Sequence, residues 1–106
     1  MKEINAVFGP QRLPTVRDAL RRAPGYPGMT VFKAEGHAAP TPQARHSIKE
    51  ELKDSLPRVR IEIIAPDEVA EGLFDTLVNA VSVGSPGDSV VWICDVERAA
   101  FVHKTV

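Results

Sequence analysis

Little in this chain of 106 residues marks it for a specialised environment. It has one cysteine, Cys94, so no disulfide can form within the chain, which fits a reducing cytoplasm. Neither sign of charge is in excess. Thirteen Lys and Arg against fourteen Asp and Glu leave a formal charge of −1, which gives no electrostatic reason to expect nucleic acid or an anionic membrane as partner. No stretch approaches the roughly 18–20 apolar residues needed to span a bilayer, so no direct membrane insertion is expected. The N-terminal residues Met1 to Asn5 lack the long apolar run of a signal peptide, and cytoplasmic residence is the expectation. Internal repeats and low-complexity tails are also missing. What is present, 43% apolar and 25% charged residues, is ordinary globular composition for one small domain over 1–106, of a size that can depend on partners.

The stretch Leu56 to Asp67 organises the rest. Val59, Ile61, Ile63 and Ala65 alternate with Arg58, Arg60 and Glu62, a period of two that predicts a strand. Pro66 ends it, and Asp67 is placed to cap the helix that follows, because its carboxylate can accept unpaired N–H groups of the first turn. That helix is expected from about Asp67 to Val81, with Val69, Leu73, Leu77 and Val81 near one stripe, widened by Ala70, Phe74, Val78 and Ala80.

Before this stretch, Lys2 to Phe8 reads as a strand with Ile4, Ala6 and Phe8 on one face and Glu3, Asn5 and Val7 on the other. Gly9 and Pro10 break it. Leu13, Val16, Ala19, Leu20 and Ala23 recur at helical spacing, which predicts a helix over about Pro14 to Arg22 with Pro14 in the first turn. Arg17, Asp18, Arg21 and Arg22 then fill a solvated face, a reading far preferable to a basic binding patch. Ala23 to Gly28 is turn chemistry, and Met29 to Glu35 is a second strand ended by Gly36. His37 to Ser55 holds two prolines and little to bury in its first half. Its second half suggests a short helix, Ser47 to Asp54, with Ser47 and Glu50 in capping-box spacing. A connection of nearly twenty residues in a compact domain is rare unless it is functional, so it is expected to project as a long loop. Val83 to Asp88 forms a tight glycine-containing loop, and Val90 to Asp95 is the last strand.

The order β-α-β, long loop, β-α-β predicts an α+β fold of the ferredoxin-like type: a four-stranded antiparallel sheet with both helices on one face. The other face would carry Val7, Ile64, Trp92 and Cys94. An apolar second face calls for oligomerisation.

The motifs extend this. Pro10, Arg12, Leu13, Val16, Arg17, Ala19 and Leu20 fit Pro-x-(Lys/Arg)-Leu-x-x-Val-(Arg/Lys)-x-Ala-Leu. Gly28 to Val31 is Gly-Met-Thr-Val. Leu56 to Ile63, followed by Pro66 and Asp67, fits Leu-Pro-(Lys/Arg)-Val-(Lys/Arg)-Ile-Glu-hydrophobic ending in Pro-Asp. Gly84 to Ser89 approximates Gly-x-x-Gly-Asp-Gly, and Asp95 to Glu97 is Asp-Val-Glu. In this order the chain resembles the PII signalling (nitrogen regulatory) family along essentially its whole length.

That resemblance implies a homotrimer with sheets inward and helices outward. It implies a T-loop over about 37–55, a B-loop over about 82–90 and a C-terminal tail over about 97–106. An adenine nucleotide would bind between subunits and reset the T-loop, which docks on a membrane transporter or metabolic enzyme. The base would lie near Val7, Thr30, Gly36, His37, Glu62 and Ile64, and the phosphates over Gly84, Gly87, Asp88 and Ser89. A glycine-rich turn can present backbone N–H groups to an anion, and a nearby long loop can be ordered or released by the ligand. The plainer reading of Gly84 and Gly87 is a turn needing positive φ, and that of Glu62 a carboxylate on a solvated or interface face.

The chain departs from the family pattern at the phosphate end. Val90 stands where the family usually has lysine, and Phe101 and His103 where it has two arginines. Val83 replaces the loop threonine and Ser85 a basic residue. Each charge-assisted hydrogen bond is worth roughly 1.5–3 kcal/mol, so ADP or AMP is expected in preference to tight ATP. Glu51 and Lys49 occupy the usual T-loop modification positions, so uridylylation and serine phosphorylation are not expected.

His37, His46 and His103, with Cys94, offer ligands for zinc, copper or nickel. No pair has i,i+4 or Cys-x-x-Cys spacing, so no metal is expected. The alternative of a trimeric transition-metal-binding protein of CutA-type fold rests on these histidines. No Ser/His/Asp arrangement or carboxylate pair stands out, and no catalytic activity is expected.

Overall fold

The computed structural model describes residues 1–37, 55–82 and 89–102. Its elements are β1 (Lys2–Phe8), a 3-10 turn (Pro10–Arg12), α1 (Leu13–Arg21), β2 (Thr30–His37), β3 (Ser55–Ala65), α2 (Asp67–Ser82) and β4 (Val90–Asp95). The strands form one antiparallel sheet in the order β2-β3-β1-β4. The two βαβ units therefore interleave: β3 lies between β1 and β2, and β1 between β3 and β4. This is the expected ferredoxin-like α+β arrangement. The expected helix over 47–54 and the loop over 83–88 fall outside the described residues.

Strand alternation decides which face is dry. Ile4, Ala6 and Phe8 of β1 and Val59, Ile61, Ile63 and Ala65 of β3 are buried on one face, where α1 and α2 pack. From α1 come Val16 and Leu20; its Arg17, Asp18, Arg21 and Arg22 are exposed, as the charged-face reading requires. The buried stripe of α2 is Ala70, Leu73, Leu77 and Ala80, while Val69 and Val81 are only half-buried. Leu73 and Leu77 form the middle of that stripe and Ala70 and Ala80 its ends.

Three local expectations change. β2 does not stop at Gly36: it begins at Thr30 and runs on to His37, because Gly36 and His37 stay paired with Leu56 and Ser55 of β3. Gly9 and Pro10 do not simply break the chain. Arg12 N–H donates to the Gly9 carbonyl at 3.0 Å, and a 3-10 turn leads directly into α1. Asp67 is the first residue of α2 and not its cap. Pro66 holds that place, its carbonyl accepting Val69 and Ala70 N–H at 3.1 Å each. The Asp67 carboxylate instead lies 2.9 Å from the N-terminal ammonium. That hydrogen bond, reinforced by the ammonium's charge, lowers its pKa, and the negative charge remains favourable at a helix N-terminus.

The 22–29 turn is pinned against α2. Gly25 has φ +77°, and a Cβ there would meet Val69 Cγ1 at 2.5 Å. Gly25→Ala is therefore expected to cost about 2–4 kcal/mol, combining left-handed backbone strain with overpacking. Urea unfolding at fixed subunit concentration would show it; an unchanged midpoint would mean that the turn relaxes freely.

Candidate functional site

The face of the sheet away from the helices carries the chemistry. Strand register places Asn5 between Glu62 of β3 and Trp92 of β4, Val7 between Arg60 and Val90, and Glu3 between Ile64 and Cys94. On β2, Thr30 stands opposite Glu62, Phe32 opposite Arg60 and Ala34 opposite Arg58. No second layer of this chain covers the face among the described residues. Val7, Ile64 and Trp92 are nevertheless half-buried.

At its centre is a polar network. Asn5 is fully buried. Its Nδ2 donates to Glu3 Oε1 at 2.8 Å, and its Oδ1 accepts from Arg60 Nη2 at 3.3 Å. The same Arg60 nitrogen donates to Glu62 Oε1 at 3.2 Å, and the guanidinium lies 5.2 Å from the Trp92 ring centroid. A buried amide is tolerable when its donor and acceptor are both used. The planar guanidinium can serve two acceptors while lying against an aromatic ring, which an ammonium does less well. Its Nε is buried without a protein partner among the described residues.

Beside this network is a cleft of about 340 Å³, lined by Pro27, Gly28, Met29, Thr30, Glu62, Ile64 and Phe101. The Pro27–Met29 segment reaches it because Gly28, at φ +108°, turns the chain in a way few other residues adopt. Just before it, Tyr26 is half-buried, and burial raises the pKa of its phenol against a smaller opposing effect of Arg21.

The expected base-binding residues fall into two groups. Thr30, Glu62 and Ile64 meet in the cleft. Gly36 and His37 lie at the far end of β2, Gly36 pairing with Leu56. Gly36 is six residue steps along the strand from Thr30, about 20 Å. Val7 faces Arg60 and does not line the cleft. A second cleft of about 320 Å³, near the Gly36 end, is lined by Gly9, Pro10, Gln11, Leu56, Pro57 and Arg58. Of the expected phosphate residues, Ser89 is exposed just before β4, while Gly84, Gly87 and Asp88 lie outside the described residues. Within one chain, the described candidates therefore lie at separate places.

Comparison with known proteins decides the family. The model of the family "Nitrogen regulatory protein P-II" matches residues 1–105. This chain belongs to the P-II family. It is 35% identical over 102 residues to nitrogen regulatory protein P-II 1 of Escherichia coli (strain K12), covering 92% of this chain and 88% of that protein. It is 34% identical to the P-II protein of Klebsiella oxytoca over the same spans. The P-II protein of Bradyrhizobium diazoefficiens is 33% identical over 100 residues, 93% of this chain and 88% of that protein.

The metal-protein alternative gains nothing from these matches. In this P-II chain His37 is exposed, its Nε2 3.8 Å from Glu35 Oε2, while His46 and His103 lie outside the described residues. Among the described residues no group of three or more His, Cys, Asp or Glu is placed to hold a metal ion. Nor is any helix of the described residues long and apolar enough to cross a membrane.

Sequence reasoning missed two features of this face. The Asn5–Arg60–Glu62 network joins residues 55 positions apart, and only register reveals it. Phe101 had signalled only a lost arginine. Its place beside Thr30, Glu62 and Ile64 depends on how the segment after β4 runs.

Proposed function

We propose that this chain is a P-II-type regulatory subunit, not an enzyme, acting in the cytoplasm as a homotrimer. One P-II-type domain would span 1–106, with a regulatory T-loop at 37–55, a B-loop at 82–90 and a tail at 97–106. The carrying observation is the division of the candidate residues. Thr30, Glu62 and Ile64 lie in one cleft, and Gly36 lies about 20 Å away along β2. A neighbouring copy packed against the sheet face would bring Val7, Gly36 and His37 of one subunit to the Thr30 cleft of the next. The same contact would cover Val7, Ile64 and Trp92.

The effector is an adenine nucleotide with few phosphates. Its base sits between subunits, and its phosphates reach the loop at Gly84, Gly87, Asp88 and Ser89. Occupancy would bias the 37–55 loop, which regulates a transporter or metabolic enzyme. Thermal unfolding with AMP, ADP and ATP tests this. A ligand that binds only the folded state stabilises it by about 2.7 kcal/mol at a hundredfold excess over Kd. AMP and ADP are expected to raise Tm more than ATP at equal concentration. A Tm that no nucleotide moves would overturn the nucleotide reading, and a larger shift with ATP would overturn the preference.

A further inference from the structure

The cleft at Thr30 has an uneven lining. Among the described residues that line it, the one ionisable side chain is Glu62, half-buried, with one carboxylate oxygen engaged by Arg60 at 3.2 Å. Pro27, Met29, Ile64 and Phe101 supply apolar surface, and Thr30 a hydroxyl. A carboxylate repels a phosphate and attracts an N–H donor. A flat apolar wall suits a planar ring, whose π-face is attracted to an aromatic side chain. Phe101 is the cleft's aromatic ring. It lies in the segment that follows β4 and leaves 47% of its surface exposed, so it is not filling the core.

We propose that Phe101 determines the specificity of this cleft, stacking on the heterocyclic base of the ligand while Glu62 accepts a hydrogen bond from an amino group of that base. The inference rests on the nucleotide reading above and deepens it: recognition is carried by the base, and the phosphates point out of this half of the site. Phe101 is thus a binding surface in its own right, and the affinity it contributes is the same whatever the length of the phosphate chain.

Calorimetric titration of the full chain with AMP, ATP and ribose 5-phosphate tests this, using wild type, Phe101→Ala and Phe101→Tyr. Wild type is expected to bind AMP at least tenfold more tightly than ribose 5-phosphate. Phe101→Ala should lose about tenfold or more for AMP and ATP alike, the usual effect of removing a stacking ring, and Phe101→Tyr should keep wild-type affinity. Inosine monophosphate, whose base lacks the amino group, should bind about fivefold or more weakly than AMP. Circular dichroism and molar mass would establish that the variants keep fold and assembly.

Unchanged AMP affinity in Phe101→Ala overturns the stacking role. Tighter binding would mean that the ring plugs the cleft, and a loss confined to ATP would place it at the phosphate end; either also overturns it. Equal binding of AMP and inosine monophosphate overturns the Glu62 contact. A wild-type chain that binds neither AMP nor ATP fails the nucleotide reading itself, a result distinct from wild-type binding that Phe101→Ala leaves intact.

Discussion

Ile64→Asp is expected to convert the assembly into monomers. Ile64 is half-buried on the open sheet face, opposite Glu3 and two residues from Glu62. A third carboxylate there would repel its neighbours within the chain only mildly, because water still reaches it. Against a second copy it would have to lose that water without a cation to replace it. Leaving an unpaired charge in an interface costs several kcal/mol per subunit. In a three-fold arrangement that penalty applies at every contact. Light scattering should then move from three times 11.5 kDa to a single chain of that mass, with the far-ultraviolet dichroism unchanged. A wild type that is already monomeric, or a variant that remains trimeric at micromolar concentration, would sink the proposed interface. Because Ile64 also lines the Thr30 cleft, nucleotide binding should fall with the mass.

Phe8→Ala tests the other face. Phe8 is the largest fully buried side chain, at the end of β1 on the face that the helices cover. Deleting its ring removes apolar burial and leaves a cavity that close-packed neighbours fill only in part. Such changes cost about 3–5 kcal/mol, against a total stability of about 5–15 kcal/mol for a domain. The urea midpoint at fixed subunit concentration should fall steeply, and the chain is expected to be partly unfolded at 37 °C. A loss below about 1 kcal/mol would mean that the β1 end is not the packed core described here. The contrast with Ile64→Asp is diagnostic: one substitution should abolish assembly and spare the subunit fold, and the other should damage the fold itself.

Much of the fold was legible in the sequence because its signals are local. The strands expected at Lys2–Phe8 and Val90–Asp95 return with the same ends, and both helices fall within a residue of the spacing-based bounds. Side-chain alternation and helical recurrence act over a few residues, and Pro66 and Gly9 mark boundaries, whereas Gly36 does not end β2 because its backbone stays paired with Leu56. Where local signals compete, the reading slips. Gly9 and Pro10 form the entry to a 3-10 turn because Arg12 N–H finds the Gly9 carbonyl. Asp67 does not cap α2 because it is already the first helical residue, with Pro66 before it, and its carboxylate pairs with the N-terminal ammonium.

By itself, then, the sequence determined the order of elements, the dry faces of β1 and β3 and, through motifs spread over the whole chain, the family. Those depend on patterning within segments and on residue identity. Tertiary structure alone decided which residues share a site. Arg60 meets Asn5 and lies against Trp92 only because β1 is inserted between β3 and β4. Phe101 meets Thr30 only because the segment after β4 comes back to the edge of the sheet. Such contacts are set by strand register and the path of the chain, properties of the packed whole that no short window of residues encodes.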